Sequence, residues 1–279
     1  MMLAGRNLIP PLALSPFYAV DPSFYTNLVR YGNFAATSIG QNCPVPPDRS
    51  TVLNYIKINF TNTQAIVFRA DTTREIIVSF GGSKALRDAV TDISFVGVGY
   101  AACTGCSVHL GFRGAWVSIS EQIRRAIAGA LAVNRGYTVT LTGHSLGGAL
   151  TSLAFADLRT MPEMRIAQAW AFASPRVGNH QYAAYVDLLA GATDVDVGSF
   201  YRVTHANDGV PLLPPTGFGY RHSKTEIWAG NDASGQPSAA TTYRCYGNEP
   251  ADCVNSQGGV GINNAHVFYP GINYGTTCK

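Results

Sequence analysis

The sequence predicts an α/β fold in which a central, mostly parallel sheet is covered by helices. Three observations predict it. Strand-like runs alternate with helix-like runs through the middle of the chain, the pattern of parallel strands joined by helical crossovers. The segment from Tyr137 to Leu150, YTVTLTGHSLGGAL, places Ser145 between a β-branched run and a small-residue run that reads as a helix start. The 279 residues are 46% apolar and only 13% charged, which suits a large core under a sparsely charged surface. With no repeat, linker or low-complexity break, residues 21–279 read as one domain preceded by a short segment, 1–20.

That first segment is apolar with a single charge, Arg6, but Pro10, Pro11 and Pro16 break any helix. No run in it approaches the roughly 20 apolar residues of a membrane span. It is expected to be an arm on the body or a processed piece. A helix follows at 22–37, with Leu28, Tyr31 and Ala35 on one face. Strands near 51–59 and 65–70 form an antiparallel hairpin, and a third lies near 74–80. From Ser83 to Phe95, Leu86, Ala89, Val90 and Ile93 fall at i, i+3, i+4 and i+7, a helical stripe. Bounded by Gly81-Gly82 and Gly97-Val98-Gly99, this short amphipathic helix is a candidate lid. Strands near 137–143, 166–172 and 199–204, with another near 224–229, interleave with helices near 112–133, 146–160 and 179–190.

The chemistry sits in Gly143-His144-Ser145-Leu146-Gly147. In a G-x-S-x-G elbow a strand turns sharply into a helix, and the crowding at the turn demands glycine on both sides of a strained serine. The helix then begins at Leu146, so its free N–H groups lie where an oxyanion would form. Such a serine needs a base, and in this architecture the acid and then the histidine come later in the chain. Asp208 follows the strand Phe200-Tyr201-Arg202-Val203-Thr204 in the turn His205-Ala206-Asn207-Asp208-Gly209, although alone it would read as an Asx turn. Of the later histidines, His180, His205, His222 and His266, only His266 lies in the last stretch of the chain. His222 reads as a satisfied loop histidine, His205 is too close in sequence to the acid, and His144 points away from the nucleophile. The second oxyanion donor comes from an earlier strand end, where Ser83 could offer both its N–H and its hydroxyl, besides capping the next segment.

Together, Gly82-Ser83, the short helix, Cys103-Thr104-Gly105-Cys106, GHSLGGAL, Ser174-Pro175-Arg176-Val177-Gly178-Asn179, Val210-Pro211-Leu212-Leu213-Pro214-Pro215 and Gly219-Tyr220-Arg221-His222 resemble the class 3 lipases, the secreted fungal enzymes of the Rhizomucor and Thermomyces type. The resemblance implies an α/β-hydrolase fold and ester hydrolysis without cofactor or metal. It implies Ser145, Asp208 and His266 as a triad, Ser83 and Leu146 as the oxyanion hole, and the segment carrying Leu86, Ala89, Val90 and Ile93 as the lid. It also implies disulfides Cys43–Cys278, Cys103–Cys106 and Cys245–Cys253, a pairing that spacing alone leaves open. Two positions depart from the family. Gly81 stands where an arginine is common, which loosens the lid hinge, and Ala89 stands where many members carry tryptophan, which shrinks the apolar lid face.

The expected protein is thus a secreted, monomeric carboxylic-ester hydrolase acting on lipid at an oil–water interface, foremost a triacylglycerol lipase. A feruloyl or other carbohydrate-ester esterase of the same fold is the alternative. Cys103 and Cys106 lack the second CxxC of a zinc site. The formal net charge of +3 comes without a basic cluster interleaved with aromatics, which argues against nucleic acid. Asn59-Phe60-Thr61 is a glycosylation sequon that agrees with secretion.

Overall fold

Along β4 (Glu75–Phe80) the residues Ile76, Val78 and Phe80 pack into one buried cluster while Ile77 packs into another. The period-2 alternation of a strand puts successive side chains on opposite faces, so an almost unbroken apolar run marks a strand covered on both sides. This is the logic of the whole sheet. In the computed structural model, which describes residues 18–37, 43–81, 95–231, 233 and 235–272, nine strands run in the order β1-β13-β12-β10-β8-β7-β4-β3-β2. The five central strands, β4, β7 (Thr138–His144), β8 (Ile166–Phe172), β10 (Phe200–His205) and β12 (Glu226–Asn231), are parallel to their neighbours within that set. The flanks are antiparallel: β2 (Thr51–Ile58) and β3 (Thr63–Ala70) at one edge, β13 (Pro237–Cys245) and β1 (Tyr18–Ala19) at the other.

One face is covered by α2 (Leu110–Val133), α3 (Leu146–Leu158) and α4 (His180–Ala190), the other by α1 (Pro22–Thr37) with the C-terminal segment around Tyr269 and Ile272. Helix starts obey local chemistry: the His109 side chain accepts from the Phe112 N–H and the Asn179 side chain from that of Tyr182, while Gly191 ends α4 at φ 68°. Gly32 of α1 permits a main-chain crossing, because a Cβ there would lie 2.2 Å from the Pro270 carbonyl oxygen. That close approach seats the segment carrying Tyr269 against the sheet.

The expected strands and helices of the central sheet lie within a residue or two of the observed ones. Two features were not anticipated. Strand β13, between β1 and β12, is long but carries no clean alternation. A second, four-stranded sheet is built from β5 (Gly97–Gly99), β6 (Ser107–His109), β9 (Gly178–Asn179) and β11 (Tyr220–Arg221). Its strands are two or three residues long, too short for any periodicity to register. The end of the N-terminal arm, Tyr18–Ala19, pairs with Arg244 and Tyr243 of β13. Cys103 is bonded to Cys106 and Cys245 to Cys253, and Cys43 is also in a disulfide. Cys278 lies outside the described residues, as do residues 1–17, Ser83 and the lid positions Leu86, Ala89, Val90 and Ile93. Among the described residues no helix is long and apolar enough to cross a membrane.

Candidate active site

Ser145 sits between the C-terminal end of β7, in the middle of the sheet, and the first residue of α3. Its backbone is at φ 62°, ψ −121°, a region that side chains rarely occupy, and its N–H is held by the Phe172 carbonyl of β8 at 2.9 Å. The flanking glycines answer to sterics. A Cβ on Gly143 would lie 2.4 Å from the Gly147 carbonyl oxygen, and one on Gly147 would lie 2.1 Å from that of Phe80. The second contact brings α3 hard against the end of β4. Leu146, as first residue of the helix, therefore presents its N–H beside Ser145 and next to the strand end that leads into Gly81.

The structure brings Ser145, His266 and Asp208 together from three separate parts of the chain. Ser145 Oγ lies 2.8 Å from His266 Nε2, and His266 Nδ1 lies 3.0 and 3.1 Å from the two carboxylate oxygens of Asp208. With Nδ1–H donating to the carboxylate, Nε2 is left as the acceptor for the serine hydroxyl. All three are buried, Asp208 completely. His266 opens from a four-residue helix, α5 (Asn264–Val267), whose N-terminus is capped by the Asn263 side chain. Asp208 leaves β10 in a turn, its Oδ1 accepting from the Val210 N–H at 2.9 Å.

Three residues that brace this arrangement were missed or undervalued in the sequence. Tyr269 donates its hydroxyl to Asp208 Oδ2 at 2.6 Å, and burial together with the neighbouring carboxylate pushes its pKa well above 10, so it remains a donor. The HVFY run places it three residues after His266, yet nothing in that spacing names its partner. His144 turns away from the hydroxyl, and its Nε2–H donates to the His266 carbonyl at 2.8 Å. Burial, and then the adjacent His266, hold the His144 pKa well below 6.5, so it is a neutral clamp. His205 does the same one residue earlier: its Nδ1–H donates to the Ala265 carbonyl at 3.0 Å, and its other nitrogen meets the Asn231 side chain at 2.9 Å.

The turn after Asp208 is held from below. Buried Arg176 donates to the carbonyls of Leu212 and Pro214 and makes a two-pronged ion pair with Glu249, at 2.7 and 2.8 Å. His222 donates Nε2–H to the Pro211 carbonyl at 2.8 Å, the satisfied loop histidine that the sequence suggested. Burial alone would raise the Glu249 pKa, but the Arg176 hydrogen bonds and nearby positive charge outweigh it and hold it far below the usual carboxylate range. Phe112 and Trp116 of α2 are plain core.

A strained serine after a central parallel strand, a histidine bridging it to a buried aspartate, and helices on both faces define an α/β-hydrolase fold with a Ser-His-Asp arrangement. The family model for lipase (class 3) matches residues 77–218. A secreted mono- and diacylglycerol lipase of Fusarium solani is 38% identical over 191 residues, 67% of this chain and 54% of that one. A secreted mono- and diacylglycerol lipase of Penicillium camembertii is 33% identical over 218 residues, covering 77% of this chain and 67% of that one. Among solved structures, the Rhizomucor miehei triacylglyceride lipase superposes with a TM-score of 0.81 at 27% identity, over 94% of this chain and 100% of the other. Lipase II of Rhizopus niveus gives 0.80 at 26%, again over 94% and 100%. The chain belongs to the class 3 lipase family. Its matched stretch spans only about half to two-thirds of the length of these curated relatives.

Proposed function

We propose that the protein is a secreted acylglycerol lipase that cleaves carboxylic esters through an acyl-enzyme on Ser145. The observation that carries this reading is the hydrogen-bonded chain from Ser145 Oγ through His266 to the buried Asp208. His266 Nε2 takes the hydroxyl proton as Oγ attacks the ester carbonyl, and the imidazolium so formed is stabilised by the Asp208 carboxylate. The developing oxyanion is met by the Leu146 N–H at the start of α3 and by Ser83. His266 then gives its proton to the leaving glyceride alkoxide, and water, activated by the same nitrogen, releases the fatty acid. No cofactor enters these steps.

Acylglycerols are the favoured substrates because the relatives are named for them: mono- and diacylglycerol lipases, a triacylglyceride lipase, and a triacylglycerol lipase described as having a serine protease triad at its catalytic centre. Leu86, Ala89, Val90 and Ile93 form the lid, and the enzyme works as a monomer adsorbed at an oil–water interface. The test is hydrolysis of tributyrin across its solubility limit, with diolein and methyl ferulate assayed in parallel, for wild type and Ser145→Ala. A wild-type rate that rises above the limit and falls at least about a thousandfold in the variant supports the reading. Ester cleavage within tenfold of wild type in Ser145→Ala removes the serine from the mechanism, and preference for methyl ferulate replaces the substrate class.

A further inference from the structure

The β2–β3 hairpin turns through Asn59-Phe60-Thr61-Asn62, and Asn59-Phe60-Thr61 is the sole Asn-x-Ser/Thr triplet of the chain. The Asn62 N–H donates to the Asn59 carbonyl at 3.3 Å, closing a tight turn with Asn59 and Phe60 in solvent. Phe60 is 89% exposed, the most exposed large hydrophobic side chain among the described residues. The next residue faces the opposite way. Ser118 Oγ donates to the Ala115 carbonyl and so accepts from the Thr61 hydroxyl, at 2.9 Å, which anchors the hairpin to α2. Because β2 runs in the same direction as β4 and β7, the turn stands at the end of the sheet that carries Ser145. Nearby, the Gly81 N–H donates to the Gln64 carbonyl at 2.9 Å.

We propose that Asn59 is a site of N-glycosylation and that the attached glycan covers Phe60 at the site-bearing end of the sheet. The inference rests on the proposed export of the chain, which brings it to the donor, a lipid-linked oligosaccharyl diphosphate. In the transfer the Asn59 side-chain nitrogen forms a bond to C1 of the first sugar. The C1–oxygen bond to the diphosphate breaks, the lipid diphosphate leaves, and the amide nitrogen gives up a proton to a base of the transferase. In the finished fold the Thr61 hydroxyl is committed to Ser118, so the transfer precedes docking of the hairpin on α2. The first sugar then lies over an aromatic ring that otherwise meets water on nearly all sides.

The chain is expressed in yeast behind a secretion leader as wild type, Asn59→Gln, Thr61→Ala and Asn59→Gln/Phe60→Ala. Intact mass is read before and after endoglycosidase treatment, and retention is read on a hydrophobic-interaction column. The expected result is one N-glycan on wild type, removed by the enzyme and absent from Asn59→Gln and from Thr61→Ala, which keeps the asparagine. Retention should rise in both single variants and fall back when Phe60 is also replaced. Secreted wild type at the bare polypeptide mass overturns the modification, and equal retention of Asn59→Gln and the double variant overturns the cover. Because the leader supplies the export, bare secreted wild type counts against the modification and leaves the secretion reading untouched.

Discussion

Tyr269→Phe removes one oxygen from the site and nothing else. The ring keeps its edge contacts with Phe172, His144 and His205, so no cavity opens. What is lost is the 2.6 Å hydrogen bond to Asp208 Oδ2, between a fully buried carboxylate and a hydroxyl only 4% exposed. A hydrogen bond to a charged group is worth about 1.5–3 kcal/mol. Asp208 keeps the Val210 N–H on Oδ1 and the His266 N–H, so the triad stays assembled but the carboxylate is free to rotate about its remaining contacts. Stability should fall by about 1.5–3 kcal/mol in urea unfolding. If half or more of the bond acts in the transition state, kcat on a soluble p-nitrophenyl ester falls about 3- to 150-fold with KM unchanged, since about 1.4 kcal/mol is a factor of ten. A stability loss with kcat within twofold of wild type would refute the reasoning and leave Tyr269 as packing only.

The other predictions concern the scaffold of the same site. Gly147→Ala drives a Cβ to 2.1 Å from the Phe80 carbonyl oxygen, a main-chain overlap that cannot relax cheaply, so soluble expression should collapse or stability drop by more than about 3 kcal/mol. Normal melting of this variant would mean that the elbow is not packed on β4. Arg176→Lys offers one point charge where a planar fork meets Glu249 and two carbonyls, and it should cost about 3 kcal/mol or more in urea unfolding. Burial, then the charges of Arg202 and Arg176, hold the His222 pKa well below 6.5, and burial does the same for His144. The folded state therefore binds fewer protons than the unfolded one at acid pH. This stability is complete above about pH 6.5 and is lost as pH falls toward the folded values, at up to about 1.4 kcal/mol per pH unit for each histidine. Urea unfolding at pH 7.5, 6.0 and 5.0 should trace that loss, with a shallower slope in His222→Gln; an unchanged slope would remove His222 from the account.

Much of the site was legible because its demands are local. Gly143 and Gly147 had to be small for the chain to turn at Ser145, and that requirement lies within five residues. Asp208 and His266 were reachable from chain order and from their places after a strand and near the C-terminus. Tyr269, His205 and Arg176 were not, because each is defined by a partner tens of residues away. The Tyr269 hydroxyl meets a carboxylate 61 residues back, and Arg176 meets Glu249 across 73 residues. A tyrosine or an arginine looks the same in a sequence whether it binds solvent or a buried carboxylate.

The sequence by itself determined the alternation of strands and helices, the place of the elbow and the order of its partners. Side-chain periodicity and backbone sterics act over a few residues and leave a readable pattern. Only the tertiary structure decided which histidines become clamps, how Asp208 is held, and that the short strands around Gly97, Ser107, Gly178 and Tyr220 join in a second sheet. Those outcomes depend on long-range hydrogen bonds inside a closed core, where every buried polar group must find a partner and the chain's path decides which one it finds.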